Sequence, residues 1–403
     1  MSCDKRYGLR EVWVAPEASP NAPATFADTN YLYHCTGSNF PAVYREVLDN
    51  GEATGTRGQS MPFEGAQNEL SFDVTVMMPG PLKWPGNWPE SLQALFWAAG
   101  FGGDAGPSSW VPGVSGTVVM AVKAGSACGR TIQLLGLDRD KRQLELLTGA
   151  VVSQVVLTYS RTDVCTIQFS GVAAQKYEAT APIIAVANIS NTTFSAVAVS
   201  SYGMALPTSP AILTGVSLGL PGASAELASV NGGAGQITLK SDLSASTITA
   251  DTQSYWSAPK DASLAYSILS PDAWSLGAGS LDAVQSATLT LESGQSYGEL
   301  TTAAQYPSEI LSGQAKVTAS LTAYLVDANM ASSYRTAAAL KICHMPGGLD
   351  SIGAWNIAAA RLTEAPAIDL SSVDTPASGD FSLQAGEDES FISDGFLDTV
   401  FIN

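Results

Sequence analysis

Two histidines carry whatever imidazole chemistry this 403-residue chain can perform, and each stands beside a cysteine, in His34-Cys35 and Cys343-His344. A zinc site drawing on both pairs needs four converging N or S donors. Neighbouring residues on a strand point to opposite faces, so each pair readily supplies one ligand, and ordinary packing is the expectation. A His-assisted serine nucleophile would need one of the same two histidines as its base, and no G-x-S-x-G elbow occurs. The run Gly100-Phe-Gly-Gly-Asp-Ala-Gly106 lacks the Lys-Ser/Thr of a phosphate-cradling loop and reads as a flexible connection. Carboxylates are plentiful, yet no spacing singles out a pair flanking a glycosidic bond. Trp84, Trp88, Trp97 and Trp110 offer aromatic surface for a sugar, but their clustering with proline around one helical pattern reads as core or interface. No catalytic residue, metal site or cofactor is expected, and the chain reads as a non-enzyme.

The elements that would position these residues are mostly strands. In Ser71–Met78 the apolar residues Phe72, Val74, Val76 and Met78 alternate with Ser71, Asp73 and Thr75. Cys165, Ile167 and Phe169 alternate with Thr166, Gln168 and Ser170; Ala287, Leu289 and Leu291 with Ser286, Thr288 and Thr290. The longest such run is Val317–Val326, where Val317, Ala319, Leu321, Ala323 and Leu325 oppose Thr318, Ser320, Thr322, Tyr324 and Val326. A period of two predicts half-buried antiparallel strands with one face on a core. Their other faces carry hydroxyls and amides where an ordinary solvated strand carries more Lys and Glu. Ser286, Thr288, Thr290, Thr318, Ser320 and Thr322 are therefore the candidate positions for a lumen wall or subunit contact. One helix is predicted over Pro89–Ala99, where Leu92, Leu95, Phe96 and Ala99 share a face and Gly100 follows as a stop; a second is predicted over the Ala-rich Ser332–Leu340.

The fold class expected is mainly β, with sandwich- or barrel-forming sheets, short flanking helices and a duplicated unit. An offset of 245 residues places Pro62 on Pro307, Glu64 on Glu309, and Phe72, Val74 and Val76 on Val317, Ala319 and Leu321. The boundaries follow: a first β domain over 1–183, a linking or inserted β/loop region over 184–257 with turn signals such as Leu220-Pro-Gly222, and a second β domain over 258–403. The acidic Gly386–Ser390 reads as a solvated loop before Phe391–Ile402, a last strand or an arm laid on a neighbour.

Hydrophobic residues make up 45% of the chain and charged residues 14%, a composition that suits packed β-structure rather than disorder. The net charge is −18, concentrated in the second half, which argues against binding nucleic acid through its phosphates. Five cysteines without a CxxC point to a reducing compartment. The N-terminus shows no apolar signal-peptide core, and no apolar run reaches the ~18–20 residues of a membrane span.

Three passages resemble the tail tube (major tail) proteins of siphophages. Gly149–Tyr159 leading into Val164–Gly171 looks like the family's paired strands. Leu281–Glu292 is similar to the strand opening its C-terminal unit. Ile310–Gly313 followed by Val317–Asp327 resembles its Gly-containing turn and Val-Thr-Gly-Ser-Leu-Thr-like strand, with Ala319 where the family often has Gly. The resemblance implies a self-assembling structural protein of the virion tail, built in the host cytoplasm. It implies two sheets packed face to face, with rings stacked into a hollow tube that passes double-stranded DNA without specific binding. Two units per chain imply trimeric, pseudo-hexameric rings; one unit would imply hexamers. The partners implied are other copies of the chain, a tail terminator and distal tail proteins, with no membrane. Extended arms or loops would join the rings, and residues 1–30, Pro79–Trp88 and the acidic C-terminus are the candidates. A net negative lumen is expected. The competing reading from the residues is a carbohydrate- or receptor-binding β-sandwich of the virion, and a β-rich hydrolase is a third.

Overall fold

The computed structural model describes residues 11–21, 24, 30–43, 45–48, 63–67, 69–78, 89–100, 119–122, 129–138, 143–180, 184–185, 193–195, 217–220, 223–231, 236–239, 253–256, 274–276, 279–281, 284–298, 307, 309–324, 338–344, 352–363, 367–369, 378–385 and 397–402. Among them the chain is mainly antiparallel β with a single α-helix. The strands that organise the body are β1 (Glu11–Pro16), β2 (Cys35–Asn39), β3 (Leu70–Met77), β4 (Ile132–Asp138), β5 (Gln143–Ser160), β6 (Thr166–Ala173), β7 (Gln175–Thr180), β8 (Trp274–Leu276), β9 (Val284–Glu292), β10 (Lys316–Tyr324), β11 (Ala338–His344), β12 (Ile352–Leu362) and β13 (Ser378–Ala385).

The alternating segments fold as their period dictates. Phe72, Val74 and Val76 on β3, Ile167 and Phe169 on β6, Leu289 and Leu291 on β9, and Val317 and Leu321 on β10 are all buried in one apolar cluster. Register carries that face across strand after strand: Val76 lies opposite Ile167, Ile167 opposite Leu157, Leu157 opposite Leu289, Leu289 opposite Ala319 and Ala319 opposite Leu383. Cross-strand apolar pairs of this kind are the stabilising unit of a sheet.

The helix α1 (Glu90–Ala98) covers part of this core, with Leu92, Leu95 and Phe96 buried as its periodicity predicts. Phe96 meets Phe169 edge-on at 5.1 Å between ring centroids. Side chains bond carbonyls at the C-terminal end of the helix: Arg130 Nη1 donates at 3.1 Å to the Trp97 carbonyl, which also accepts the Gly100 N–H, and Gln295 Nε2 donates to that of Ala98 at 3.3 Å. Arg130 also stacks on the Trp97 ring, so this tryptophan serves packing. Trp84, Trp88 and Trp110 lie outside the described residues.

Strand pairing shows a repeat. In the first half the hydrogen-bonded order is β1-β4-β5-β6-β3-β2. In the second half it is β8-β11-β12-β13-β10-β9. The irregularities recur too. The β2–β3 ladder shifts between Cys35 and Gly37, and the β9–β10 ladder between Val284 and Ser286. The β4–β5 ladder shifts between Ile132 and Leu134, and the β11–β12 ladder between Ala338 and Leu340. Ser153 Oγ donates to the Ser170 carbonyl at 3.1 Å, and Thr363 Oγ1 to the Ser382 carbonyl at 3.2 Å. These landmarks place Thr75 of β3 on Thr322 of β10, an offset of 247 residues for this strand rather than 245, which keeps its residues on their faces but moves Phe72 onto Ala319.

One expected helix changes. The helix expected over Ser332–Leu340 is not helical at its end, where Ala338–Leu340 belong to β11; pairing on both sides, with β8 and β12, overrides alanine's helix preference. Its residues 332–337 lie outside the described residues. The terminal strand, Leu397–Ile402, pairs within its own chain, with Ile352–Asn356 and with Val119–Val122. Between the units, six short strands within residues 184–256 form a separate sheet, ordered Ile184–Ala185, Gln253–Trp256, Ser217–Leu220, Ala223–Asn231, Gln236–Leu239 and Thr193–Ser195.

Candidate functional site

The six candidate residues come together as three directly opposed pairs on β9 and β10: Ser286 with Thr322, Thr288 with Ser320, and Thr290 with Thr318. Ser286 and Ser320 are exposed and the other four half-buried. The parity that buries Leu289 and Ala319 leaves these hydroxyls on the opposite face. That face continues across the sheet. Thr158 and Thr166 extend the Thr288–Ser320 row on one side and Ser382 on the other. Thr75, Gln168, Val156 and Gln384 extend the row of Thr290 and Thr318. The contributions of β3, β5, β6 and β13 are not singled out by the sequence, although the polar residues of two of these strands, β3 and β6, alternate outward; alternation gives a face to each strand but not the plane that the strands share.

Among the residues whose side chains are described, charges on this face are few; Arg361 pairs opposite Gln384 in the Thr290–Thr318 row and adds a cationic position to it. Asp73, Glu292 and Asp380 stand against Lys316, which sits directly opposite Glu292. Thr322 Oγ1 donates to Asp380 Oδ1 at 2.8 Å. Neutral hydroxyls and amides in this array offer exchangeable hydrogen bonds, and the carboxylates disfavour lasting contact with a polyanion.

The junction between the two halves lies under the same face. The C-terminal half of β5 pairs with β9, from Ser286 opposite Ser160 to Glu292 opposite Gln154. Ser293 closes one end, its N–H donating to the Ser153 carbonyl at 2.8 Å and its hydroxyl to the Val152 carbonyl at 2.7 Å; Arg161 N–H donates to the Gln285 carbonyl at 3.0 Å at the other.

A buried node surrounds Gly149 in β5. Gly149 has φ +61°, a left-handed conformation, and donates its N–H to Glu17 Oε1 at 2.8 Å. Glu17 Oε2 accepts from Asn21 N–H at 2.9 Å, while the Tyr297 hydroxyl donates to the Gly149 carbonyl. Burial raises the Glu17 pKa, partly offset by the backbone N–H of Gly149. Burial, and then the Glu17 charge, raise that of Tyr297. Nothing in the spacing of Glu17, Gly149 and Tyr297 announces this node; only Gly149 inside an apolar run hints at a special backbone position.

The remaining sequence candidates fall on different elements. Burial pushes the thiols of Cys35 and Cys165 up to about 11, so both are protonated at neutral pH and poor nucleophiles. His34 has φ +55° and gives its carbonyl to Met77 N–H, a backbone role at the start of β2. His344 ends β11. Gly100 follows α1, and residues 101–106 lie outside the described residues.

No family model matches this chain, and no curated protein does.

Proposed function

We propose that this chain is a structural virion protein of the tail-tube type, which assembles into stacked rings whose hollow centre passes double-stranded DNA. The observation that carries the reading is the junction itself: two units with the same strand order are joined edge to edge into one sheet, and the exposed side of that sheet is lined by hydroxyls. A module that extends a sheet by adding a copy of itself is suited to ring building, and closing the ring removes the sheet edges that otherwise seed uncontrolled pairing. Head-to-tail contacts repeated along an axis then give a filament. A lumen wall of Ser, Thr and Gln with scattered carboxylates lets a polyanion slide, because no cluster of Lys and Arg holds its phosphates.

Size-exclusion chromatography with light scattering, followed by negative-stain microscopy, tests the reading. Rings or tubes of constant diameter are expected. A chain that remains monomeric at high concentration and is retained on a glycan resin would overturn the reading in favour of a sugar-binding sandwich.

A further inference from the structure

The shared irregularities let the junction inside the chain be carried over to its two ends. Gly37 and Ser286 take the same place after the shared ladder shift, opposite Thr75 and Thr322, so Asn39 corresponds to Thr288. Gln168 lies opposite Thr75 and Asp380 opposite Thr322, so their other partners, Val156 and Ala367, also correspond. Asp369 then takes the place of Thr158. Within the chain Thr158 pairs with Thr288. Among the described residues β2 pairs only with β3, and Ala367–Asp369 only with β13, so within the described residues the counterparts of the two junction strands each have one side without a paired strand.

We propose that a second copy of this chain fills that edge: β2 of one copy adds antiparallel to Ala367–Asp369 of the next, with Asn39 opposite Asp369. This rests on the self-assembling reading above. The parity agrees. Phe40, 6% exposed, falls at the place of the buried Leu289, and Ile368 takes the register position of the buried Leu157. The two edges differ, so the contact is heterologous, head to tail, and closes only as a ring. Each copy brings two units, so any such ring holds an even number of them, and the sixfold arrangement takes three chains.

Paired cysteines test the contact, since directly opposed strand residues lie within disulfide reach. Asn39→Cys with Asp369→Cys should give, on mild oxidation, a ladder of covalent multimers that neither single variant gives. Thr158→Cys with Thr288→Cys should close a link inside one chain and give no ladder. Rings or tubes in micrographs without the Asn39–Asp369 ladder overturn this pairing and leave the tube reading standing; monomers alone overturn both. Should the double variant fail to fold, hydrogen exchange on the unaltered chain decides. Outward amides of β2 should exchange at least about tenfold more slowly in the assembly than in dilute monomer. Equal rates, or an unaltered chain that never assembles, overturn the proposal.

Discussion

Gly149 shows how much one residue can hold. A Cβ built there meets Asn21 Oδ1 at 2.6 Å, the Tyr297 hydroxyl at 2.8 Å and the Ala174 Cβ at 2.9 Å, on top of the left-handed φ. Gly149→Ala should therefore destabilise the fold by about 2–4 kcal/mol in urea titration. Gly129→Ala, at φ +77° with nothing within 4 Å, should cost only about 1 kcal/mol of backbone strain. Glu17 gives the node a pH dependence. Its raised pKa means that the folded chain holds this proton more tightly than the unfolded chain. The stability it contributes is greatest below the ordinary carboxyl value and falls as pH rises through the raised one. Thermal melts of wild type and Glu17→Gln across pH 4–8 should show that decline in the wild type and a flatter curve in the variant. Sequence reveals a glycine in a strand; it does not reveal φ, nor that a glutamate 132 positions away accepts its N–H.

At the scale of elements, the sheet depends on rows rather than on individual strands. Leu289 sits in the middle of one row, between Leu157 and Ala319. Leu289→Ala should cost about 3 kcal/mol by lost transfer energy and an unfilled cavity. Thr290→Val with Thr318→Val, on the other face, should change monomer stability by less than about 0.5 kcal/mol. Chemical denaturation of the two variants side by side checks the contrast. Much of this was legible: alternation predicted the strands around Val74, Ile167, Leu289 and Leu321 and their buried faces, and the i, i+3, i+4 pattern predicted α1. The rest depended on partners far along the chain. Ala338–Leu340 looks helical until β8 and β12 flank it. The repeat offset was two residues off because parity fixes a face but not a register; ladder shifts and the matched Ser153 and Thr363 hydrogen bonds supply the register.

For the whole molecule, the hydroxyl face gains meaning only through assembly. All six candidate residues were named from sequence because their strands alternate cleanly, yet the plane they share arises from pairings that join residues from 70 to 385. If that plane lines a tube, its weak charge is a functional property. Thr288→Lys with Ser320→Lys should still assemble but retain short double-stranded DNA at low salt, releasing it as salt rises, whereas the wild-type assembly should retain none. Filter-binding at two salt concentrations reads this. The most direct test of the central claim is a cryo-electron microscopy map of the purified assembly viewed down its axis. The account predicts a hollow ring of six similar units from three chains, with Thr288, Thr290, Thr318 and Ser320 facing the lumen. Particles without a central channel, or a channel with this face turned outward, would contradict it.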